Sequence, residues 1–173
     1  MNIAFTMSPG RGDTDLLLHH FAHSLVARGF RLAGTVQVNT DRPDRGPCDM
    51  DVKLLPDGPS IRISQSLGKG ARGCRLDPSA LEHAVSAVAG RLNSGIDLLI
   101  INKFGKHEAD GRGFRSVIAE ALSQDVPVLV GLNSLNAEAF HAFTAGFATE
   151  IPPSNNSLMQ WFETTALREL DCA

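Results

Sequence analysis

The chain has 173 residues, of which 43% are hydrophobic and 20% are charged. These values are close to globular averages, so they exclude a disordered chain or a collagen-like repeat, and the length predicts one domain over 1–173. Sixteen lysines and arginines against 19 acidic residues give a net charge of −3. This balance provides no general electrostatic attraction for nucleic acid, and we expect no general nucleic-acid binding.

Membrane and secretion signals are absent from the sequence pattern. No apolar run reaches the roughly 18–20 residues that span a bilayer, and the amino terminus shows neither a basic leader nor a lipidation box. Three widely spaced cysteines provide no disulfide framework and no metal-ligand spacing. We therefore expect no membrane span and a cytoplasmic chain with reduced thiols.

Strands and helices alternate from the start of the chain. The apolar run 2–7 predicts a strand, and a glycine-rich turn joins it to a helix that begins at Asp13 and ends at Arg28 before Gly29. The run 31–38 predicts a second strand. This β-loop-α-β order is typical of parallel sheets.

The stretch 39–76 interrupts the alternation. Two strand-like runs, 51–55 and 60–64, predict a β-hairpin insertion, and a glycine-rich basic loop follows it. Asp77 and Pro78 then predict the N-cap and the first residue of another helix.

The remainder of the chain returns to alternating strands and helices. The continuous apolar run 97–102 predicts a central strand that is covered on both faces. The other predicted elements are helices over 111–123, 136–143 and 157–170 and strands over 127–132 and 147–151. The pattern predicts an α/β fold, a three-layer, doubly wound and mainly parallel sheet with ligand sites at the carboxyl ends of its strands.

The first loop after a strand is in register with the phosphate loop G-x-x-x-x-G-K-S/T, except that Met7 replaces the first glycine and Asp13 replaces the lysine. The retained glycines and threonine keep the turn and the hydroxyl at the Mg²⁺ position, so backbone N–H groups at a helix N-terminus can face an anion. Asp13 either repels that anion or only stabilises the helix N-terminus. The candidate anion or nucleotide ligands here are Gly10, Arg11, Gly12, Asp13 and Thr14.

The segment after the central strand is a second candidate site. In phosphate-loop nucleoside triphosphatases this strand ends in an acidic residue that binds Mg²⁺, commonly followed by a second carboxylate. Asn102 and Lys103 stand at those two places, so the charges look exchanged between the two loops. We hypothesise that Lys103 either pairs with Asp13 or supplies a ligand-facing charge, the alternative being a surface lysine at a strand end.

Further residues extend these candidates. The candidate anion or nucleotide ligands of this segment are Asn102, Lys103, Lys106 and Arg112, and Glu108, together with Thr14, is a candidate metal ligand. In the glycine-rich loop, the basic side chains either clamp a tetrahedral oxyanion or belong to a solvated flexible loop. These side chains are Lys69, Arg72 and Arg75, of which Arg75 is the best candidate because it lies next to the predicted N-cap.

Histidines give a weaker signal. His19 and His23 lie four residues apart on the first helix, a spacing that allows two imidazoles to share a metal, although a solvated helix face is the commoner case. His107 lies beside two carboxylates, where it is either a base or ligand or a surface turn residue.

Two resemblances follow from these motifs. The run from Cys74 to Pro78, the segment 102–106, Glu108-Ala109 and Gly111-Arg112-Gly113 together resemble a family of uncharacterised bacterial proteins. Its members contain a domain of unknown function that is often encoded beside molybdate-transport genes. The resemblance covers most of the chain and implies a partner in molybdenum or tungsten metabolism.

The second resemblance is more distant. Residues 9–12 and 97–103, with Gly105-Lys106, Glu108 and Phe114, are similar to the small nucleoside triphosphatases of the phosphate-loop class. In that class the second motif ends in Asp-Glu before a Gly-Lys-Met-Glu segment. This chain departs from that pattern at three positions, so the resemblance implies the fold and not the activity. The three positions are Asp13, Asn102 and Lys103.

The expected function is anion binding by a degenerate phosphate loop, without efficient hydrolysis of nucleoside triphosphates. The expected ligand is a nucleotide with Mg²⁺, or a molybdate- or tungstate-type oxyanion. One alternative is a nucleoside triphosphatase with relocated charges, in which Lys103 or Lys106 neutralises phosphate and Glu108 positions metal or water. The other is a regulatory or scaffold subunit, and a homo-oligomer or a protein partner stays open.

Overall fold

A mainly parallel β-sheet forms the middle layer of the fold. The structure, a computed structural model, describes residues 2–10, 12–40, 48–66 and 75–170, with side chains up to residue 165. The strands of these segments are β1 (Ile3–Thr6), β2 (Leu32–Thr40), β3 (Asp49–Leu54), β4 (Ser60–Arg62), β5 (Leu98–Ile101), β6 (Val128–Gly131) and β7 (Thr149–Glu150). They form one sheet in the order β4-β3-β2-β5-β6-β1-β7.

The sheet has a parallel part and an antiparallel extension. The neighbouring strands β2, β5, β6, β1 and β7 run parallel, which confirms the predicted doubly wound sheet. The predicted hairpin is β3–β4, which adds to the sheet antiparallel to β2. Its turn closes through a hydrogen bond that Gly58 N donates to Leu54 O at 2.9 Å. The insertion therefore widens the sheet.

Helices cover both faces of this sheet. They are α1 (Asp13–Ala27), α2 (Pro78–Leu92), α3 (Lys106–Ala109), α4 (Arg115–Ser123), α5 (Ala137–Phe143) and α6 (Asn155–Leu170), and a 3₁₀ turn (Ser134–Asn136) precedes α5. On one face, α1 and α6 pack against the side chains of Leu98 and Ile100. On the other face, α2, α4 and α5 pack against Leu99 and Ile101. The predicted three layers are confirmed.

The predicted start of α2 agrees with the structure, whereas the predicted start of α4 does not. Asp77 is the N-cap of α2, since its carboxylate accepts hydrogen bonds from the backbone N–H groups of Ser79 and Ala80, as predicted. The helix predicted from residue 111 begins only at Arg115, and the short α3 precedes it. The intervening turn has a left-handed backbone at Gly111 and Gly113, with φ of 87° and 59°.

None of the helices in the described part of the chain is both long enough and apolar enough to cross a bilayer.

Candidate functional site

The carboxyl ends of the parallel strands bring the two predicted loops to one edge of the sheet. β1 leads into the glycine-rich loop, which is described at residues 7–10 and 12, and β5 leads into the segment 102–113. Both strands pair in parallel with β6, so the two loops emerge from the same edge. This is the edge at which doubly wound folds bind their ligands.

The glycine-rich loop turns back onto the first residues of α1. Gly12 is the N-cap of α1 with a left-handed φ of 85°, a conformation that favours glycine. Ser8 N donates a hydrogen bond of 2.9 Å to Thr14 Oγ1. The exposed side chain of Asp13 folds back against Gly10, where a Cβ atom would overlap Asp13 Oδ2. The place of the phosphate-binding lysine therefore holds a carboxylate that covers part of the loop.

Asn102 connects the end of β5 to α1. Its side chain is almost fully buried, and its Nδ2 donates a hydrogen bond of 2.8 Å to Asp15 Oδ1. Its Oδ1 accepts a hydrogen bond of 2.8 Å from Gln37 N, in β2. Asn39 Nδ2 donates to the other oxygen of Asp15 at 3.1 Å. A neutral amide thus joins three elements at the place where a magnesium-binding carboxylate was expected.

The predicted pairing of Lys103 with Asp13 is wrong. Within the described residues, neither side chain forms an ion pair, and the link between the two loops is the contact of Asp15 with Asn102. Side chains alternate along a strand, so Asn102 shares the α1 face with Leu98 and Ile100. Lys103, the next residue, is exposed. The second hypothesis for Lys103, a ligand-facing charge, stays a prediction, as does the anion-binding role of the exposed Lys106.

Close packing supports the link at Asn102. Gly131 ends β6, and a Cβ atom there would overlap the backbone oxygen of Asn102 and lie 2.9 Å from Leu18 Cδ1. Beneath the loop, Thr6 ends β1 with a fully buried hydroxyl that has no hydrogen-bond partner in the described chain. The edge is therefore tightly packed under the candidate site.

The carboxylate of Glu108 is buried and accepts hydrogen bonds from the backbone. Its side chain is buried, with 3% of its surface exposed. Its Oε2 accepts a hydrogen bond from Gly105 N at 2.9 Å, and its Oε1 accepts one from Phe114 N at 3.2 Å. Gly113 packs so closely that a Cβ atom there would overlap Oε1. Because both oxygens already accept backbone N–H groups, this geometry gives no support to metal or water positioning by Glu108.

We expect Glu108→Ala to lower the free energy of unfolding by about 2–4 kcal/mol, because two buried N–H groups lose their acceptors. Denaturant unfolding with and without Mg²⁺ measures this loss, which should be the same in both conditions. Glu138→Ala, at an exposed site in α5, is the matched control and should change little. A stability loss that appears only with Mg²⁺ would instead indicate a metal ligand.

A shallow cleft of about 580 Å³ lies between the first turns of α2 and α4. The mostly buried His107 contacts Glu82 there through Nε2 and Oε1 at 3.0 Å, and Gly113 N donates to the same oxygen at 3.1 Å. Arg112, also on the cleft, is exposed and lies 3.6 Å from Asp110. His107 therefore contributes to a contact between α2 and the turn after α3.

Of the three basic side chains in the glycine-rich basic loop, only Arg75 lies among the described residues. Arg75 is partly buried, donates a hydrogen bond of 2.9 Å to the backbone oxygen of Cys48, and lies 3.5 Å from Asp49. It ties the start of α2 to the start of β3. Arg11, Lys69 and Arg72 lie outside the described residues, so their predicted anion-binding roles stay predictions.

The sequence did not single out three residues of this site, Asp15, Gln37 and Glu82. Asp15 lies two residues after the aspartate that replaces the lysine, and Gln37 lies near the end of the second strand. The available signal was their place after or near strand ends at one edge of a parallel sheet. That signal predicts which edge of the sheet holds the site, but it does not predict which side chains contact one another.

Comparison with known proteins now places the chain among relatives. The model of the family described as "Protein of unknown function (DUF2478)" matches residues 3–161. The chain belongs to this family. The resemblance to a family of uncharacterised proteins with a domain of unknown function, which the motifs within 74–78 and 102–113 indicated, is therefore confirmed.

A curated relative of this DUF2478 chain is "Molybdenum import ATP-binding protein ModC 2" of Bradyrhizobium diazoefficiens. The two are 38% identical over 158 residues, which are 90% of this chain and 17% of the relative. The chain therefore spans about a sixth of that protein's length.

Two solved structures share the fold. The crystal structure of THEP1 from the hyperthermophile Aquifex aeolicus aligns with a TM-score of 0.64 at 16% identity, covering 95% of this chain and 96% of that one. The solution structure of a human cancer-related nucleoside triphosphatase aligns with a TM-score of 0.59 at 18% identity and covers 87% of both chains. The fold is that of the small phosphate-loop nucleoside triphosphatases.

Proposed function

We propose that this chain binds an anion at the glycine-rich loop and does not hydrolyse nucleoside triphosphates efficiently. The ligand is a nucleotide or a tetrahedral oxyanion of the molybdate or tungstate type. The observation that carries this proposal is the end of β5, where the buried amide of Asn102 donates to Asp15 and accepts from Gln37.

The neutral strand end argues against hydrolysis for an electrostatic reason. Phosphoryl transfer in this fold depends on Mg²⁺, which an acidic residue at this place helps to hold. Asn102 offers no charge, and no group of three or more His, Cys, Asp or Glu side chains in the described segments is arranged to hold a metal. The end of β5 therefore lacks the carboxylate that helps to hold Mg²⁺ in phosphate-loop nucleoside triphosphatases.

The loop itself favours a ligand of modest charge. The N-cap of α1 has no side-chain acceptor, so the N–H groups at the start of this helix attract an anion, whereas the carboxylate of Asp13, which has no partner among the described residues, opposes one. Asp15 opposes it less, because Asn102 and Asn39 donate to its two oxygens. A dianion such as molybdate suffers less repulsion here than a triphosphate does. Lys103 is the nearest exposed cation by sequence to the end of β5.

The name of the relative adds the metabolic context. That protein is described as an ATP-binding protein of molybdenum import, and this chain matches a small part of its length at 38% identity. We infer a role for this chain in molybdenum or tungsten metabolism, as a domain that senses or holds a ligand.

A ligand panel tests the proposal. Thermal-shift and calorimetric titrations with ATP, GTP, phosphate, sulfate, molybdate and tungstate should show saturable binding of at least one, because a ligand of the native state raises apparent stability. Lys103→Ala should weaken that binding by about three- to tenfold without loss of stability, as expected for one lost charge-assisted contact.

Two results would contradict the proposal. Steady-state phosphate release with Mg²⁺ that disappears in Thr14→Ala would support the nucleoside triphosphatase with relocated charges. Flat titrations with every ligand, together with a protein that co-purifies with the chain, would support the regulatory or scaffold subunit. Unchanged anion affinity in Lys103→Ala would remove Lys103 from the site.

A further inference from the structure

Three histidines lie together on α1, on a part of the helix that the anion site does not use. The ring centres of His19 and His23 are 4.5 Å apart, with their planes tilted by 47°. The ring centres of His19 and His20 are 5.9 Å apart. His19 is partly buried, whereas His20 and His23 are exposed. Two imidazoles are thus held side by side by the i, i+4 spacing of the helix.

The distance between the two rings matches a shared metal ion. A metal about 2.0–2.1 Å from one nitrogen of each ring lies roughly 3.2 Å from each ring centre. Two such rings at a right angle about the metal have centres about 4.5 Å apart, whereas a tetrahedral angle requires about 5.2 Å. The observed 4.5 Å between the ring centres of His19 and His23 equals the right-angle value, and a shared ion further requires that one nitrogen of each ring face it. Square-planar and octahedral ions use that angle, and Cu²⁺ and Ni²⁺ are the ions with this preference.

The surroundings of His19 affect such a site in two opposite ways. The pKa of His19 is lowered by burial and then by the charges of His23, His20 and Lys53, which favours the neutral imidazole that metal binding requires. Lys53, in β3, is also a positive charge that would repel a bound cation. Asp15, one turn earlier, is already engaged by Asn102 and Asn39.

We propose that His19 and His23 form a binding site for a divalent transition-metal cation, Cu²⁺ or Ni²⁺ in preference to Zn²⁺. The two imidazoles supply adjacent ligands, and water supplies the rest. His20 is not included as a ligand, because its exposed ring lies 5.9 Å from that of His19, away from the 4.5 Å that a right angle at the ion gives. The site is separate from the glycine-rich loop and does not depend on the anion-binding function.

Titration of the full chain with NiCl₂, followed by calorimetry, should show one Ni²⁺ per chain. His23→Asn should weaken this binding by at least about tenfold, because the second imidazole acts at a high effective concentration. His20→Asn is the matched control and should leave the affinity unchanged. Lys53→Gln should strengthen binding by about two- to threefold, the size of one exposed charge contact.

The spectrum of bound Cu²⁺ distinguishes this site from scattered surface histidines. Electron paramagnetic resonance of the protein with one equivalent of CuCl₂ should show two nitrogen ligands, and one in His23→Asn. Equal losses of Ni²⁺ affinity in His20→Asn and His23→Asn would overturn the proposal. So would a Ni²⁺ affinity that is unchanged in His23→Asn, or a stronger affinity for Zn²⁺ than for Ni²⁺.

Discussion

Asp13→Lys should raise the affinity of the glycine-rich loop for ATP by about 10- to 100-fold, since it replaces a repelling carboxylate by a charge-assisted donor. The substitution restores the lysine of the phosphate loop at an exposed residue whose carboxylate has no partner in the described chain. The helix N-terminus disfavours a lysine by about 0.3–1 kcal/mol, so the variant should still fold. Calorimetric titration with ATP in the absence of Mg²⁺ measures the gain.

The matched control is Asp57→Lys, which makes the same change of charge in the turn between β3 and β4. That turn lies at the opposite edge of the sheet, because β3 starts beside the end of β2 and runs antiparallel to it. Equal gains in ATP affinity for the two variants would mean that net charge alone is responsible. No gain in Asp13→Lys would show that Asp13 does not limit anion binding at the loop.

Asn102→Asp should lower the free energy of unfolding by about 3–5 kcal/mol, because it places an unpaired carboxylate against Asp15 in a buried site. The donated hydrogen bond of 2.8 Å between Asn102 Nδ2 and Asp15 Oδ1 is replaced by repulsion. Protonation of either carboxylate removes that repulsion, so the loss should be largest at neutral pH and smaller in acid. Urea unfolding at several pH values measures it.

The double variant Asp15→Asn with Asn102→Asp tests whether the contact itself is responsible. It restores an amide facing a carboxylate with the two partners exchanged, so it should recover at least half of the stability lost in Asn102→Asp. A double variant as unstable as the sum of the two single variants would show that Asp15 and Asn102 do not interact.

Much of the fold is predictable from the chain because its signals are local. The apolar run 97–102, the Asp77-Pro78 start of α2 and the alternation of strands with helices each follow from periodicity and capping. The short α3 was missed, since four residues carry no helical period. Its N-cap, Gly105, and Phe114 after the following turn both donate N–H groups to the buried Glu108, and the second of these contacts spans the turn.

The site was predictable to the level of the edge and no further. The first loop and the segment after the central strand both follow predicted parallel strands, so the sequence predicts that they lie at the same edge of the sheet. The structure confirms this. The pairing of residues depends on which face of β5 each side chain occupies. That alternation places Asn102, not Lys103, against α1, and the first turn of α1 presents Asp15, not Asp13. Complementary charge in the sequence therefore identified the right loops and the wrong partners.

The replacement of a magnesium-binding carboxylate by the hydrogen-bonded amide of Asn102 is tested most directly by a single-turnover experiment. Wild-type protein in large excess over ATP with Mg²⁺ should retain the nucleotide, or release it intact, without forming ADP and phosphate over several hours. Formation of ADP and phosphate in proportion to bound ATP, absent from Thr14→Ala, would contradict a strand end that lacks hydrolytic capacity.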